Sequence, residues 1–390
     1  MSATALREPA ATLGDKGASD PFSRLLNEVS ARHQEFNGQK RLSGDVVELL
    51  KQAGVYRALV AKQFGGDEKS PSEFLRLIEK ISVADGSTGW VASFGFSSVY
   101  LSALPLDTLK AMYANGPDVV FAGGIFPPQK AILVEGGYEV SGRWSWGSGS
   151  TGADLIGVGI QVEDGTKANG LPRIAVMPSQ RVTIAENWNV NGLKGTGSHD
   201  MVVDKVVVAP EWTFIRGGSS SLDAPLYRYP SMALAAQVLA VVALGVGRAA
   251  LDHMKSIASH RASITGAPNF GDRAHVQIEI AKAEALLRSA RAFFYETTDA
   301  AFDKLCGGDE LSLEDRALIR LASSNAARSG ADVAAAIYRL SGTDGIFTAN
   351  PVARFMQDAM VVPQHAFLAE GTWQSAGRIL LGFEPAPGFP

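Results

Sequence analysis

The segment Gly136-Gly137-Tyr138-Glu139-Val140-Ser141-Gly142-Arg143-Trp144-Ser145-Trp146-Gly147-Ser148-Gly149 leads a β-forming run into a Gly/Ser loop. Two tryptophans beside small residues make a flat apolar wall with hydroxyl and backbone donors at its edge. That surface suits one face of an isoalloxazine ring, and it equally suits a well-packed sheet edge. Trp188 to Asp200, with Gly192-Leu193-Lys194-Gly195-Thr196-Gly197-Ser198-His199-Asp200, has the texture of a second ligand-edge loop. Within it, His199 reads as a structural turn residue.

Other chemistry is missing from the pattern. No HExxH, CxxC or EF-hand spacing occurs and the 6 histidines are scattered, so no metal site is expected. No Gly-x-Ser-x-Gly elbow or P-loop is present. Gly245-Val246-Gly247-Arg248-Ala249-Ala250 matches GxGxxA, but it sits inside an apolar helical run and reads as helix packing. Cys306 is the single cysteine, which excludes an internal disulfide and fits a reducing compartment. A net charge of −4 gives no electrostatic reason to expect nucleic acid.

The elements that must position these groups fall into blocks by hydrophobic period. Residues 1–20 are Ala/Thr/Gly-rich and read as a flexible leader; 21–116 is a helical domain. There Asp45 and Glu48 form a capping-box pattern, with Gly54 as the stop. Ser70, Pro71 and Glu73 open a helix with Phe74, Leu77, Ile78 and Ile81 on one face. Residues 117–216 carry short β-forming runs separated by Gly136-Gly137 and Asp164-Gly165, which predicts an antiparallel β domain. Residues 217–228 form a linker and 229–390 a helical bundle, with breaks near Ala267-Pro268, Cys306-Gly307-Gly308 and Gly342 to Pro351. The most apolar stretch, Ser231 to Gly247, is short for a membrane span and carries Gln237, so it reads as a buried core helix. The fold class is α+β, and a cytoplasmic protein is expected.

In this order the segments resemble the acyl-CoA dehydrogenase superfamily from about Pro21 to Gly382. Gly142–Ser148 takes the place of its flavin strand. Gly192–Ser198 with Val202–Pro210 resembles "G-x-R-x-S … F-x-x-V-x-V-P". Arg261-Ala262-Ser263-Ile264 with His275 and Gln277 resembles "R-x-x-F-G … H-Q". Gly342-Thr343-Asp344-Gly345-Ile346-Phe347 through Arg354 and Asp358-Ala359 resembles "G-G-x-G-F … P-V-E-R … R-D-A". The resemblance implies an acyl-CoA dehydrogenase fold: an N-terminal helical domain, a central antiparallel β domain and a C-terminal four-helix bundle. Many of these dehydrogenases place a catalytic glutamate where Ala366 stands here, and alanine cannot act as a base. Glu370-Gly371-Thr372 copies their "E-G-T" four residues later.

Gln364-His365, Gly377-Arg378, Leu380-Leu381-Gly382, Gly86-Ser87-Thr88-Gly89-Trp90 and Ser148-Gly149 resemble instead the flavin-dependent monooxygenase branch. That branch comprises oxygenase components of two-component systems. They take reduced FAD or FMN from a separate NAD(P)H-dependent flavin reductase and, with O2, use a C4a-hydroperoxide to oxygenate an aromatic small molecule. By resemblance Ser148 lies near flavin N5 and Trp146 packs on the ring. Arg261, with Gly342, Thr343 and Gly345 from a neighbouring subunit of a homotetramer, holds the phosphate and adenosine end. His365, with an ordinary pKa near working pH, is the candidate acid/base or substrate-polarising group, with a buried structural histidine as the other reading. Trp90, Phe94, Phe121 and Gly123 are candidate substrate-pocket walls. Phenol-hydroxylating relatives tend to carry a serine where Ala122-Gly123-Gly124-Ile125-Phe126-Pro127 lacks a hydroxyl, which favours an indole-type substrate, a phenol next. The alternatives are an acyl-CoA dehydrogenase using Glu370, a sulfur or nitrogen monooxygenase of the same fold, and a scaffold that has lost its flavin.

Overall fold

A computed structural model describes residues 20–162, 172–258, 269–386 and 389. Seven helices come first: α1 (Pro21–Ala31), α2 (His33–Gln39), α3 (Gly44–Gln52), α4 (Pro71–Ala84), α5 (Gly86–Ser93), α6 (Ser97–Leu101) and α7 (Leu106–Met112). The capping box of α4 forms as read: Ser70 Oγ accepts the Glu73 N–H and the Glu73 carboxylate accepts the Ser70 N–H. Phe74, Ile78 and Ile81 are fully buried on one face, with Leu77 packed beside them. The Asp45–Glu48 box does not form. Ser43 takes the N-cap position of α3, and Asp45 turns to the Arg32 guanidinium, which also grips Glu35. A full positive charge competes better for a carboxylate than a helix-end N–H does. Gly54, at φ 76°, does close that helix.

The central region is one seven-stranded sheet: β1 (Phe121–Val134), β2 (Gly137–Gly147), β3 (Leu155–Val162), β4 (Arg173–Pro178), β5 (Thr183–Ala185), β6 (His199–Val208) and β7 (Thr213–Ile215). Their order is β5-β6-β2-β1-β3-β4-β7. The expectation of a purely antiparallel sheet is corrected, because β1 and β3 pair in parallel, from Phe121 opposite Leu155 to Ala131 opposite Val162. The β1–β2 hairpin sets β2 antiparallel on one side of β1. The return through Ser148 to Asp154 then crosses to the other side, so β3 runs with β1. Turn dipeptides mark where strands end; they do not say which strand becomes the neighbour. Two glycines and two prolines hid the first ten residues of β1, and β5 and β7 are 3 residues each, too short to show a period. The Asp164-Gly165 turn lies outside the described residues.

The helical end comprises α8 (Pro225–Arg228), α9 (Ser231–Ala258), α10 (Ala274–Cys306), α11 (Leu313–Ser341), α12 (Val352–Val361) and α13 (Glu370–Leu380). The long helices α9, α10 and α11 pack together, and α12 and α13 close the bundle against them. The apolar stretch of α9 is 94% buried in its most apolar window. Its one amide, Gln237, is satisfied by accepting from Tyr229 Oη (3.0 Å) and donating to Thr298 Oγ1 (2.6 Å). The GxGxxA match is packing: a Cβ on Gly245 would sit 2.5 Å from Ser82 Cβ, and one on Gly247 would sit 2.9 Å from Gly330 O. On the facing helix, a Cβ on Gly330 would come within 2.2 Å of Ala243 O, so α9 and α11 touch backbone to backbone. The Ala267-Pro268 break is outside the described residues.

Alanine is ordinarily the better helix former, yet Gly330→Ala is expected to destabilise by about 1–3 kcal/mol through overpacking. A thermal melt checks it; a melting temperature equal to or above that of the unaltered protein contradicts the close approach.

Candidate active site

The site begins with a line of hydroxyls. Trp90, buried on the all-buried helix α5, donates its indole N–H to Ser148 Oγ at 3.1 Å. Ser148 Oγ lies 2.7 Å from Ser198 Oγ, which lies 2.8 Å from Thr196 Oγ1. Thr196 Oγ1 donates to Leu193 O at 2.9 Å. The two ends fix the direction of the whole chain, since an indole N–H can only donate and a carbonyl can only accept. Ser148 therefore gives its proton to Ser198, and Ser198 gives its own to Thr196. Toward a ligand, Ser148 Oγ retains a lone pair and no hydrogen.

The loop that carries Thr196 and Ser198 is itself pinned. Leu193 N–H donates to Asp358 Oδ1 of α12 at 2.6 Å, and Gly195 N–H donates to Ser87 Oγ of α5 at 3.1 Å. Leu193 adopts φ 51°, a conformation that this anchoring pays for. Asp85, at the start of α5, is buried near Asp358, and burial first, then that second carboxylate, pushes its pKa up to about 7. His199 is 2% exposed and its Nδ1 accepts the Trp188 N–H at 3.0 Å, so it is structural as read.

His365 faces Trp90 edge-on at 6.2 Å between ring centroids and Phe367 at 5.1 Å. Its Nδ1 accepts the Phe367 N–H at 3.2 Å, which leaves the remaining proton on Nε2. Burial first, then the Arg216 and Arg320 guanidiniums, pushes its pKa down to about 4. This changes the expectation of a group poised near neutral pH. His365 is a neutral imidazole that offers an N–H, because burial disfavours its charged form and the nearby positive charges add to that.

The other candidates separate. Trp144 is sealed in the sheet with its N–H on Gly159 O (2.9 Å), whereas Trp146, at φ 63°, is 66% exposed. Phe94 joins an aromatic row through Phe96 (6.4 Å) to Tyr100 (a further 4.9 Å). Phe121 and Gly123 are engaged with Gly157 of β3: a Cβ there would meet Phe121 Cζ at 2.3 Å, and a Cβ on Gly123 would meet Gly157 O at 2.8 Å. Gly342, Thr343 and Gly345 lie in a turn packed on α11 and α12, with Ile346 and Phe347 exposed beside them. Arg261 lies outside the described residues. Ala366 follows His365 in a short 3-10 turn. Glu370 opens α13 with its side chain 83% exposed and paired to Arg328 at 2.8 Å. It points to solvent and cannot take a proton from a buried substrate.

Sequence reasoning missed Tyr100, Arg216, Arg320 and Phe367. The available signal was an arginine on a buried helical stripe, Ala317, Arg320 and Ser324, where a charge is unexpected. The arrangement joins a flat exposed indole, a hydroxyl acceptor, a neutral N–H donor and two buried cations. It can hold a planar cofactor and orient a small aromatic molecule beside it.

Comparisons with known proteins agree with this chemistry. Residues 237–370 match the family model "Acyl-CoA dehydrogenase, C-terminal domain". The chain is 53% identical to the indole-3-acetate monooxygenase of Pseudomonas putida, covering 95% of this chain and 96% of that protein. It is 49% identical to the indole-3-acetate monooxygenase of Acinetobacter baumannii, covering 91% of each. Among solved structures, the 3-HSA hydroxylase of Rhodococcus sp. RHA1 superposes with a TM-score of 0.87 at 26% identity, covering 94% of this chain and 97% of that one.

The state of His365 is testable by NMR. Its Cε1–H resonance is expected to titrate with a midpoint near pH 4. Because the folded pKa lies below the unfolded one, the unfolded chain binds more protons in between. Stability from the neutral ring is present above the ordinary value of 6.5 and is lost as pH falls toward 4. A midpoint at 6–7 contradicts the burial of this ring beside the two cations.

Proposed function

The chain belongs to the flavin-dependent monooxygenases built on the acyl-CoA dehydrogenase fold, and from that premise we propose that it oxygenates indole-3-acetate or a close indole carboxylate. The near-full-length likeness to two indole-3-acetate monooxygenases carries this reading. In support, the strand Ala122–Gly124 presents no hydroxyl of the kind a phenolate would use. The protein is read as the oxygenase component, supplied with reduced FAD or FMN by a separate NAD(P)H-dependent reductase.

The residues fit that cofactor. Trp146 offers an exposed aromatic face for a planar ring, and Ser148 offers an acceptor at the edge. When bound, reduced flavin activates O2 and supplies the transferred oxygen atom. Ser148 would accept a hydrogen bond from the flavin N5–H and so keep that proton on nitrogen, and the hydroxyl line to Leu193 keeps Ser148 turned that way. Trp90 and Phe94 wall the aromatic substrate, and the neutral His365 donates its Nε2–H toward substrate or oxygen without adding charge. Phe121 and Gly123 set the strand floor through their contacts with Gly157. Buried rings around a single hydroxyl line keep water out, which suits a reactive oxygen donor.

Arg261, Gly342, Thr343 and Gly345 are assigned to the phosphate and adenosine end of a flavin held between subunits of a homotetramer. Exposed Ile346 and Phe347 beside that turn supply apolar surface for such an interface. The cytoplasm, where reductase and reduced nicotinamide are found, is the assigned compartment.

The test supplies chemically reduced flavin, labelled O2 and indole-3-acetate to the purified protein and reads the product by mass spectrometry. One labelled oxygen atom in the product is expected. Turnover of hydroxyphenylacetate with none of indole-3-acetate would sink the substrate assignment, and bleaching of oxidised flavin by acyl-CoA would sink the oxygenase reading. Ser148→Ala is expected to divert about fivefold more O2 to hydrogen peroxide per product formed, the worth of about one hydrogen bond. Glu370→Gln, altering an exposed ion pair, is expected to leave turnover within about twofold.

A further inference from the structure

Among the described residues, two arginines are buried without a counter-charge. Arg216, just past β7, and Arg320, in the middle of α11, are each 5% exposed. Arg216 makes one long contact, Nη2 to Tyr100 Oη at 3.5 Å. Arg320 uses Nη2 alone, toward Phe367 O at 3.2 Å and Thr372 Oγ1 at 3.4 Å. Nε of both is buried with no partner, and neither guanidinium meets a carboxylate among the described residues. Buried arginines are ordinarily paired, because an unpaired buried charge costs several kcal/mol.

The two cations also converge. Both lie over the Phe367 ring, Arg216 at 4.8 Å and Arg320 at 5.5 Å from its centroid. Tyr100 and Phe126 flank Arg216, each 5.7 Å away, and Phe389 covers Arg320 at 5.0 Å. Aromatic faces compensate part of the lost solvation, but they supply no net negative charge. Burial first, then the charge of Arg216 set against the Tyr100 hydroxyl, brings Arg320 down to about 10.

We propose that Arg216 and Arg320, with the Tyr100 hydroxyl, form the seat of the substrate's carboxylate, so that an anionic side arm on the aromatic ring selects and orients the substrate. The inference rests on the oxygenase reading above and deepens it. Phe367 is the link: the guanidiniums stand on its ring, and His365 packs on it at 5.1 Å with Trp90 beyond at 6.2 Å. A carboxylate held by the arginines leaves the attached ring lying toward His365 and Trp90, at the Ser148 end. Bidentate guanidinium pairing also fixes direction, which a lysine would not.

The experiment reads binding by calorimetry, without flavin, for indole-3-acetate against indole-3-acetamide and phenylacetate against phenylacetamide. The unaltered protein is expected to bind each acid about 10- to 100-fold more tightly than its amide. Arg216→Gln and Arg320→Gln are expected to abolish that preference, Arg216→Lys and Arg320→Lys to restore part of it, and Arg328→Gln, on the surface, to keep it. Equal binding of acid and amide by the unaltered protein overturns the proposal. So does an acid preference that survives in both glutamine variants. If the glutamine variants do not fold, the lysine variants and the acid–amide comparison decide. Arginine-dependent acid binding without oxygen incorporation refutes the oxygenase reading and leaves the seat standing. Oxygenation without acid preference refutes the seat alone.

Discussion

The site depends on the one-way line of hydrogen bonds from Trp90 through Ser148, Ser198 and Thr196 to Leu193. It joins the N-terminal helices to the sheet: the indole comes from α5, Ser148 from just past the end of β2, and the loop hydroxyls from the approach to β6. Asp358 on α12 then ties Leu193 to the bundle. Because every member is buried, each must be satisfied, and the satisfaction of one sets the next. A line with a fixed donor at one end and a fixed acceptor at the other has one orientation, which makes Ser148 an acceptor toward whatever lies beside it.

Charge organises the other half of the pocket. Burial first, then the two guanidiniums standing on the Phe367 ring, keeps His365 neutral, so this cluster has a cationic end and an uncharged aromatic end. Ala366 supplies no base, and the next glutamate along the chain, Glu370, is turned outward onto Arg328. On the proposed reading, this cluster holds an anion and orients a neutral ring rather than abstracting a proton.

These side chains need rigid supports, and glycine supplies them. Gly245 lets α9 touch α4, and Gly247 and Gly330 let α9 touch α11, at distances that forbid a Cβ. Helix α4 leads directly into α5 and Trp90, while α11 carries Arg320. The two ends of the pocket are thus referenced to the same central helix, and a looser bundle would separate them.

Much of this was legible in the order of residues. Ser70-Pro71 with Glu73, the Gly136-Gly137 hairpin, the buried stretch of α9 and the packing role of Gly245 and Gly247 all depend on local periodicity and local sterics. Resemblance to the family named Ser148, Trp90 and His365 as candidates, and marked Ala366 as the place of a missing base. Long-range pairing decided the rest. The parallel partnership of β1 with β3, the switch of Asp45 to Arg32 and the direction of the hydroxyl line each join residues far apart in the chain. So does the convergence of Arg216 with Arg320 on Phe367, which brings a strand end, a bundle helix and a turn to one point. A sequence determines which residues prefer burial and which can ionise. Only the folded chain decides which charges are buried together, and that sets the protonation of His365 and the polarity of the pocket.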